Sequence, residues 1–265
     1  MELSDFKTYH YPDGHKHIVS DKDLHGDNTL SVAIKSFDDL FLAAQVLDIH
    51  SEIKDLRIKY MLAARCDRRF SPGEAIDLHI VCDFICHLVS TYHLKSVTVV
   101  KPHSPRTLER LKALGIANVY EEDPTGMLLD LVRQEVSKPC FVIPDEGARQ
   151  WVYKKVTRDD YTIQGSKKRH PDGSISIEFS SDLLEAAVRK YKNFVIIDDL
   201  CDGGGTFISI AKTIKAASPQ AKIYLVVTHV IFSKGFQPFE GWIERIYCTN
   251  SFADFENPLV KQIRI

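Results

Sequence analysis

The chain has 265 residues, 44% of them apolar, enough for one large or two modest folded domains and too many for disorder. Its formal net charge is −2, which removes the basic surplus that a nucleic-acid binder carries. Its longest apolar runs are strand-sized and its first residues, "MELSDFKTYHYPDGHKH", are unlike a signal peptide, so a soluble, cytoplasmic protein with no membrane or nucleic-acid partner is expected.

Strand-like and helix-like segments alternate from end to end. "LSVAIKS" (30–36) reads as a strand and 37–53 has helical periodicity. "IKYMLAAR" (58–65) is a strand ending on charge, and 72–92 reads as a helix with Pro and Glu in its first turn. "SVTVVK" (96–101) is a strand, 104–115 a helix closed by Gly115, and "PCFVIPD" (139–145) another strand. After an irregular, polar stretch at 157–180 come a helix at 181–191, the strand "FVIID" (194–198), a helix at 206–217 and the strand "KIYLVVTHVI" (222–231). The strands lack strict polar alternation, as strands of a parallel sheet buried on both faces do. The expectation is an α/β protein in two halves, 1–137 and 138–265, with "EEDPTG" (121–126) as a candidate link.

The six cysteines, Cys66, Cys82, Cys86, Cys140, Cys201 and Cys248, show no zinc-knuckle spacing. His79, Cys82 and Cys86 share one helical face, but a single helix supplies ligands from one side only, and buried small thiols are the better reading.

The chemistry concentrates at "NFVIIDDLCDGGGT" (193–206). A buried strand would deliver Asp198 and Asp199 to its carboxyl end, where ligands sit in parallel α/β sheets. Asp202, Gly203, Gly204, Gly205 and Thr206 follow as a loop whose unshielded amides, with the positive end of the next helix, suit a phosphate. The carboxylates repel a phosphate and suit sugar hydroxyls or a magnesium ion, so a phosphorylated sugar fits both parts. No glycine is followed by the Lys-Ser or Lys-Thr of an ATPase loop, and the third glycine of a dinucleotide fingerprint is missing.

"VIIDDLCDGGGT" resembles the phosphoribosyl-diphosphate motif shared by type I phosphoribosyltransferases and ribose-phosphate diphosphokinases (PRPP synthetases). Further stretches resemble the synthetases in the right order: "YPDGH" (11–15), "ARCDRR" (64–69), "VKPHS" (100–104), "VIPDEGA" (142–148), "SKKRH" (166–170) and "THVIFSKG" (228–235). The resemblance implies two phosphoribosyltransferase-like halves, each with a mainly parallel sheet flanked by helices. It also implies transfer of the β,γ-diphosphate of ATP to the anomeric hydroxyl of a ribose 5-phosphate group, with magnesium and release of AMP. Lys167 and Arg169 would clamp the transferring phosphates. His103 and Asp145 match the magnesium positions. Tyr11, Asp13, Arg65 and Asp67 match the ATP contacts, and residues 198, 199 and 202–206 the sugar-phosphate site. In the family the loop carrying Tyr11 reaches a neighbouring subunit's ATP, which implies a homo-oligomer, a dimer or a multiple of dimers.

Taken alone, "SKKRH" is a solvated basic loop, "PDG" a common turn and 65–69 a charged strand exit. The chain also departs from the family: His15 replaces a glutamate, Cys66 a glutamine, Ala148 a glycine, and Gly203 the hydroxyl residue of the sugar-phosphate loop. Some short members of the family, as found in phages, use ADP-ribose, and Gly203 would open space beside the 5-phosphate for such an acceptor. Ribose 5-phosphate would place the chain in nucleotide biosynthesis and ADP-ribose in NAD metabolism. A transferase consuming PRPP and a non-catalytic, synthetase-like regulatory partner are the alternatives. The first leaves "YPDGH" and "SKKRH" unexplained, and the second should have lost Lys167 and Arg169.

Overall fold

The computed structural model describes residues 1–20, 28–169 and 175–265, with Arg169 and Ile175 described by their backbone alone. The chain divides into two compact units, Met1–Asp123 and Pro124–Ile265. The division falls inside "EEDPTG" and not after residue 137. The reason is apolar: Leu128, Leu129, Val132 and Val136 pack with Phe141, Val195 and Tyr247 of the second unit.

In the first unit, β1 (Lys7–His10) and β2 (Lys16–Val19) form an antiparallel hairpin. Then β3 (Thr29–Ala33), α1 (Phe37–Ile49), β4 (Asp55–Tyr60), α2 (Asp77–Thr91), β5 (Ser96–Val100), α3 (Arg106–Ala113) and β6 (Val119–Glu122) follow. The parallel sheet runs β3-β4-β5-β6 in chain order. Leu56, Ile58, Val97 and Val99 are fully buried on one face of the sheet, whereas the residues between them along β3, β4 and β5 are mostly half-buried. Burial on both faces, expected from the sequence, therefore does not hold for this sheet. On α2, Leu78, Val81, Cys82, Ile85 and Leu88 recur at helical spacing and face the core.

The helix expected from residue 72 begins at Asp77. Glu74 accepts from the Phe70 and Ser71 amides and the Ser71 hydroxyl, so Pro72 and Glu74 belong to a turn that precedes the helix. Burial pushes the Cys82 thiol up to about 12, and Cys86 donates to the Leu114 carbonyl at 3.4 Å. These thiols are packing groups.

The second unit contains α4 (Thr125–Glu135), β7 (Pro139–Ile143), α5 (Glu146–Val152), β8 (Tyr161–Gln164), β9 (Ser166–Arg169), β10 (Ile175–Glu178), α6 (Ser181–Lys190), β11 (Asn193–Cys201), α7 (Gly205–Ala217), β12 (Lys222–Val230), β13 (Arg245–Thr249) and β14 (Val260–Ile263). Its sheet is entirely parallel, in the order β14-β13-β12-β11-β7-β8, and β9 and β10 form a separate antiparallel pair. From β7 the chain winds one way to β8, and from β11 the other way to β14. The strand order therefore reverses between β7 and β11, the place where open α/β sheets leave a crevice for ligands. No helix among the described residues is long and apolar enough to cross a membrane.

Candidate active site

β11 pairs with β7 only as far as Ile196, yet it continues beside β12 to Cys201. Asp198 and Asp199 therefore lie where β11 and β7 have parted, at the switch point. Asp198 is pushed well above the ordinary carboxylate range, first by loss of water and then by the Asp199 charge, with Asp145 adding to it. Its Oδ1 accepts the Asp199 amide at 2.9 Å.

Asp145, just past β7, is the N-cap of α5, where its Oδ1 accepts the Ala148 amide at 3.0 Å. Its Oδ2 lies 4.0 Å from Lys167 Nζ on β9. Lys167 thus reaches Asp145, the carboxylate whose charge also acts on Asp198. Oxygen donors with surplus negative charge suit magnesium, which binds through one or two carboxylates together with waters and substrate phosphates. Among the described residues no three His, Cys, Asp or Glu side chains are grouped so as to hold a metal ion by themselves.

Gly204 caps α7 in the left-handed conformation, φ 80°, and the loop 202–204 leads directly into the helix. The first amides of α7 have no intrahelical acceptor, so Gly203 to Thr206 present N–H groups and the positive end of the helix together. The loop is walled by the segment after β12, which begins in "THVIFSKG". A Cβ on Gly204 would meet Phe239, and a Cβ on Gly203 would meet the stem of Lys234.

In the first unit, "ARCDRR" follows β4 and His103 follows β5, at the carboxyl ends of adjacent parallel strands. Arg106 Nη1 donates to the Asp67 carbonyl at 3.4 Å and ties the two loops. Asp67 is buried, with Arg68 Nε 3.8 Å from its Oδ1, whereas Arg65 and His103 are exposed. Tyr11 and Asp13 sit in the β1–β2 turn, which is closed by the Tyr11 amide on the His15 carbonyl at 2.8 Å. The Asp13 carboxylate accepts the His15 amide at 3.0 Å, a turn-making role. The hairpin is fixed to α1 through Gln45, which accepts from the Ile18 amide and donates to the Lys16 carbonyl. His103 and Asp145, matched to one metal by resemblance, belong to different units. The backbone of Arg169 pairs with Ile175, but its side chain and all of His170 lie outside the described residues.

No family model matches the chain. It is 25% identical over 213 residues to a ribose-phosphate pyrophosphokinase of Saccharolobus solfataricus, covering 76% of this chain and 68% of that one. It is 26% identical over 244 residues to one of Pyrococcus abyssi, covering 89% and 78%. The chain is similar over most of its length to ribose-phosphate pyrophosphokinases. A solved phosphoribosylpyrophosphate synthetase from Mycobacterium smegmatis matches in fold, with a TM-score of 0.74 over 98% of this chain and 85% of that one, at 16% identity. The similarity to the pyrophosphokinases extends well beyond the length of the sugar-phosphate loop alone.

Proposed function

We propose that the protein transfers the β,γ-diphosphate of ATP to the anomeric hydroxyl of a ribose 5-phosphate group and releases AMP. The observation that carries the reading is the convergence of Asp145, Asp198, Asp199 and Lys167 at the β7–β11 switch point, beside the glycine-rich start of α7, in a chain similar to the pyrophosphokinases. In the reaction the anomeric oxygen attacks the β-phosphorus, the bond from that phosphorus to the bridging oxygen of AMP breaks, and the hydroxyl proton leaves to solvent. Catalysis of this kind is positioning and charge neutralisation.

Lys167 and Arg169 are assigned the transferring phosphates, and the Asp202–Thr206 loop the acceptor's phosphate. Asp198 and Asp199 suit the ribose hydroxyls. Magnesium neutralises phosphate charge when bound; Asp145 is the ligand proposed in the second unit, and His103 the one in the first. Arg65 and Asp67 are assigned ATP contacts. Tyr11 and Asp13 are assigned adenine in a neighbouring copy, a role for which their exposed hairpin is available. Two acceptors are proposed, ribose 5-phosphate and ADP-ribose. The open space expected beside Gly203 is taken by the stem of Lys234, so Gly203 does not by itself favour ADP-ribose.

The test is incubation with ATP, magnesium and either acceptor, following AMP by chromatography and the product by mass. Stoichiometric AMP and a diphosphorylated sugar are expected. Absence of AMP with both acceptors overturns the reading.

A further inference from the structure

Lys234 lies in "FSKG", directly after β12, and its stem occupies the space that a side chain at 203 would take. A Cβ on Gly203 would stand 3.2 Å from Lys234 Cδ and 3.3 Å from its Cε. The ammonium, one bond beyond Cε, is therefore beside the glycine loop. No hydrogen bond or ion pair to another described residue engages it.

The backbone is shaped to put it there. Phe232, although buried, has φ 51°, a conformation that costs a non-glycine residue free energy. Its carbonyl accepts the Gly235 amide at 2.8 Å, closing a tight turn with Lys234 inside it. Aromatic contacts of Phe232 with Phe236, Phe239 and Phe255, ring centroids 4.7, 5.5 and 5.0 Å apart, hold the turn. The strained turn and the glycine whose side-chain space is filled are separate observations that meet at one lysine.

We propose that Lys234 is an acceptor-binding residue: its ammonium pairs with the phosphate held by the amides of residues 203–206, supplying the charge where the loop has no hydroxyl at 203. Gly203 is then less an empty space than the seat of a lysine. This rests on the loop's reading as the acceptor-phosphate cradle. The chemistry recognised is a phosphate on a sugar, terminal or esterified, and the two acceptors distinguish these.

The experiment is calorimetric titration of ribose 5-phosphate and of ADP-ribose into wild type, Lys234→Ala, Lys234→Arg and Gly203→Thr, with AMP release measured alongside. Loss of one charge-assisted contact should weaken acceptor binding about tenfold in Lys234→Ala. Lys234→Arg should stay within about threefold of wild type, and the KM for ATP should not move. Gly203→Thr, which displaces the stem, should add little to the loss when combined with Lys234→Ala. The acceptor with the larger loss identifies which kind of phosphate the lysine holds. Wild-type affinity in Lys234→Ala for both acceptors overturns the inference while leaving AMP release intact. Weakened binding without AMP release from the wild type would instead overturn the proposed reaction and keep the lysine. A wild type that binds neither acceptor removes both.

Discussion

A Cβ placed on Gly204 would stand 2.5 Å from Cζ of Phe239, closer than two carbon atoms can approach. Gly204 also has φ 80°, so a side chain there is strained before it meets the ring. Backbone strain and overpacking together should make Gly204→Ala cost about 2–4 kcal/mol. Denaturant unfolding should show the loss, and acceptor binding should fall with it. Gly205, where a Cβ would meet nothing within 4 Å, is the control: Gly205→Ala should leave stability nearly unchanged.

Lys167 and Arg169 are proposed to act on charge that develops during transfer. Lys167→Ala and Arg169→Ala should each lower kcat by roughly 100-fold or more, with a much smaller change in KM. Steady-state rates of AMP formation check this. Normal turnover in both variants would take β9 out of the mechanism.

For Asp145, the cap and the charge can be separated. Asparagine caps a helix as well as aspartate does, so Asp145→Asn should keep the Ala148 contact and the melting temperature. It should raise the magnesium concentration needed for half-maximal rate, as should His103→Ala. Unchanged magnesium dependence in both would place the ion elsewhere.

Asp198 is held above the ordinary carboxylate range by burial and by Asp199. The folded chain therefore keeps this proton over a pH range where the unfolded chain has lost it, and stability falls as pH rises through that window. Asp198→Asn keeps the oxygen that accepts the Asp199 amide and removes the charge. Without ligand it should melt about 2–4 °C higher near pH 7, a gain on the order of 1 kcal/mol. The gain should vanish as pH falls through the ordinary carboxylate range. A difference that persists at low pH would mean the charge is not the cause.

The parts of the fold legible in the sequence were those with long, unbroken apolar runs. The strands at 194–198 and 222–231 correspond to β11 and β12 because burial on both faces writes itself as consecutive Val, Ile and Leu, while 96–101 corresponds to β5 through its β-branched residues alone. Short elements with mixed patterning escaped: β8, β9 and β10 fall in the stretch read as irregular, since "YTIQ", "SKKR" and "ISIE" owe their pairing to neighbours. In the site, Asp198, Asp199 and the glycines were visible as a local string. Phe239 was not, and Lys234 was visible only as part of "THVIFSKG" with no role attached, because their relation to Gly204 and Gly203 is a contact across the fold. The glycines themselves were the available signal, since a missing side chain implies a neighbour that fills its place.

The hairpin of β9 and β10 makes a choice that the sequence leaves open. Lys167 and Lys168 are adjacent and chemically equal, yet they meet different surroundings: Lys167 stands opposite buried Ile177 and reaches Asp145, while Lys168 pairs with Glu178. At the root of the hairpin, Gly165 donates to the Ile143 carbonyl, and any Cβ there would lie 2.4 Å from Cγ2 of Ile177. The isoleucine and the glycine lock the register between them. A slip of one residue would turn Lys168 toward the carboxylates and Lys167 toward water. Which of two identical cations serves the site is thus decided by an apolar side chain that never meets a substrate.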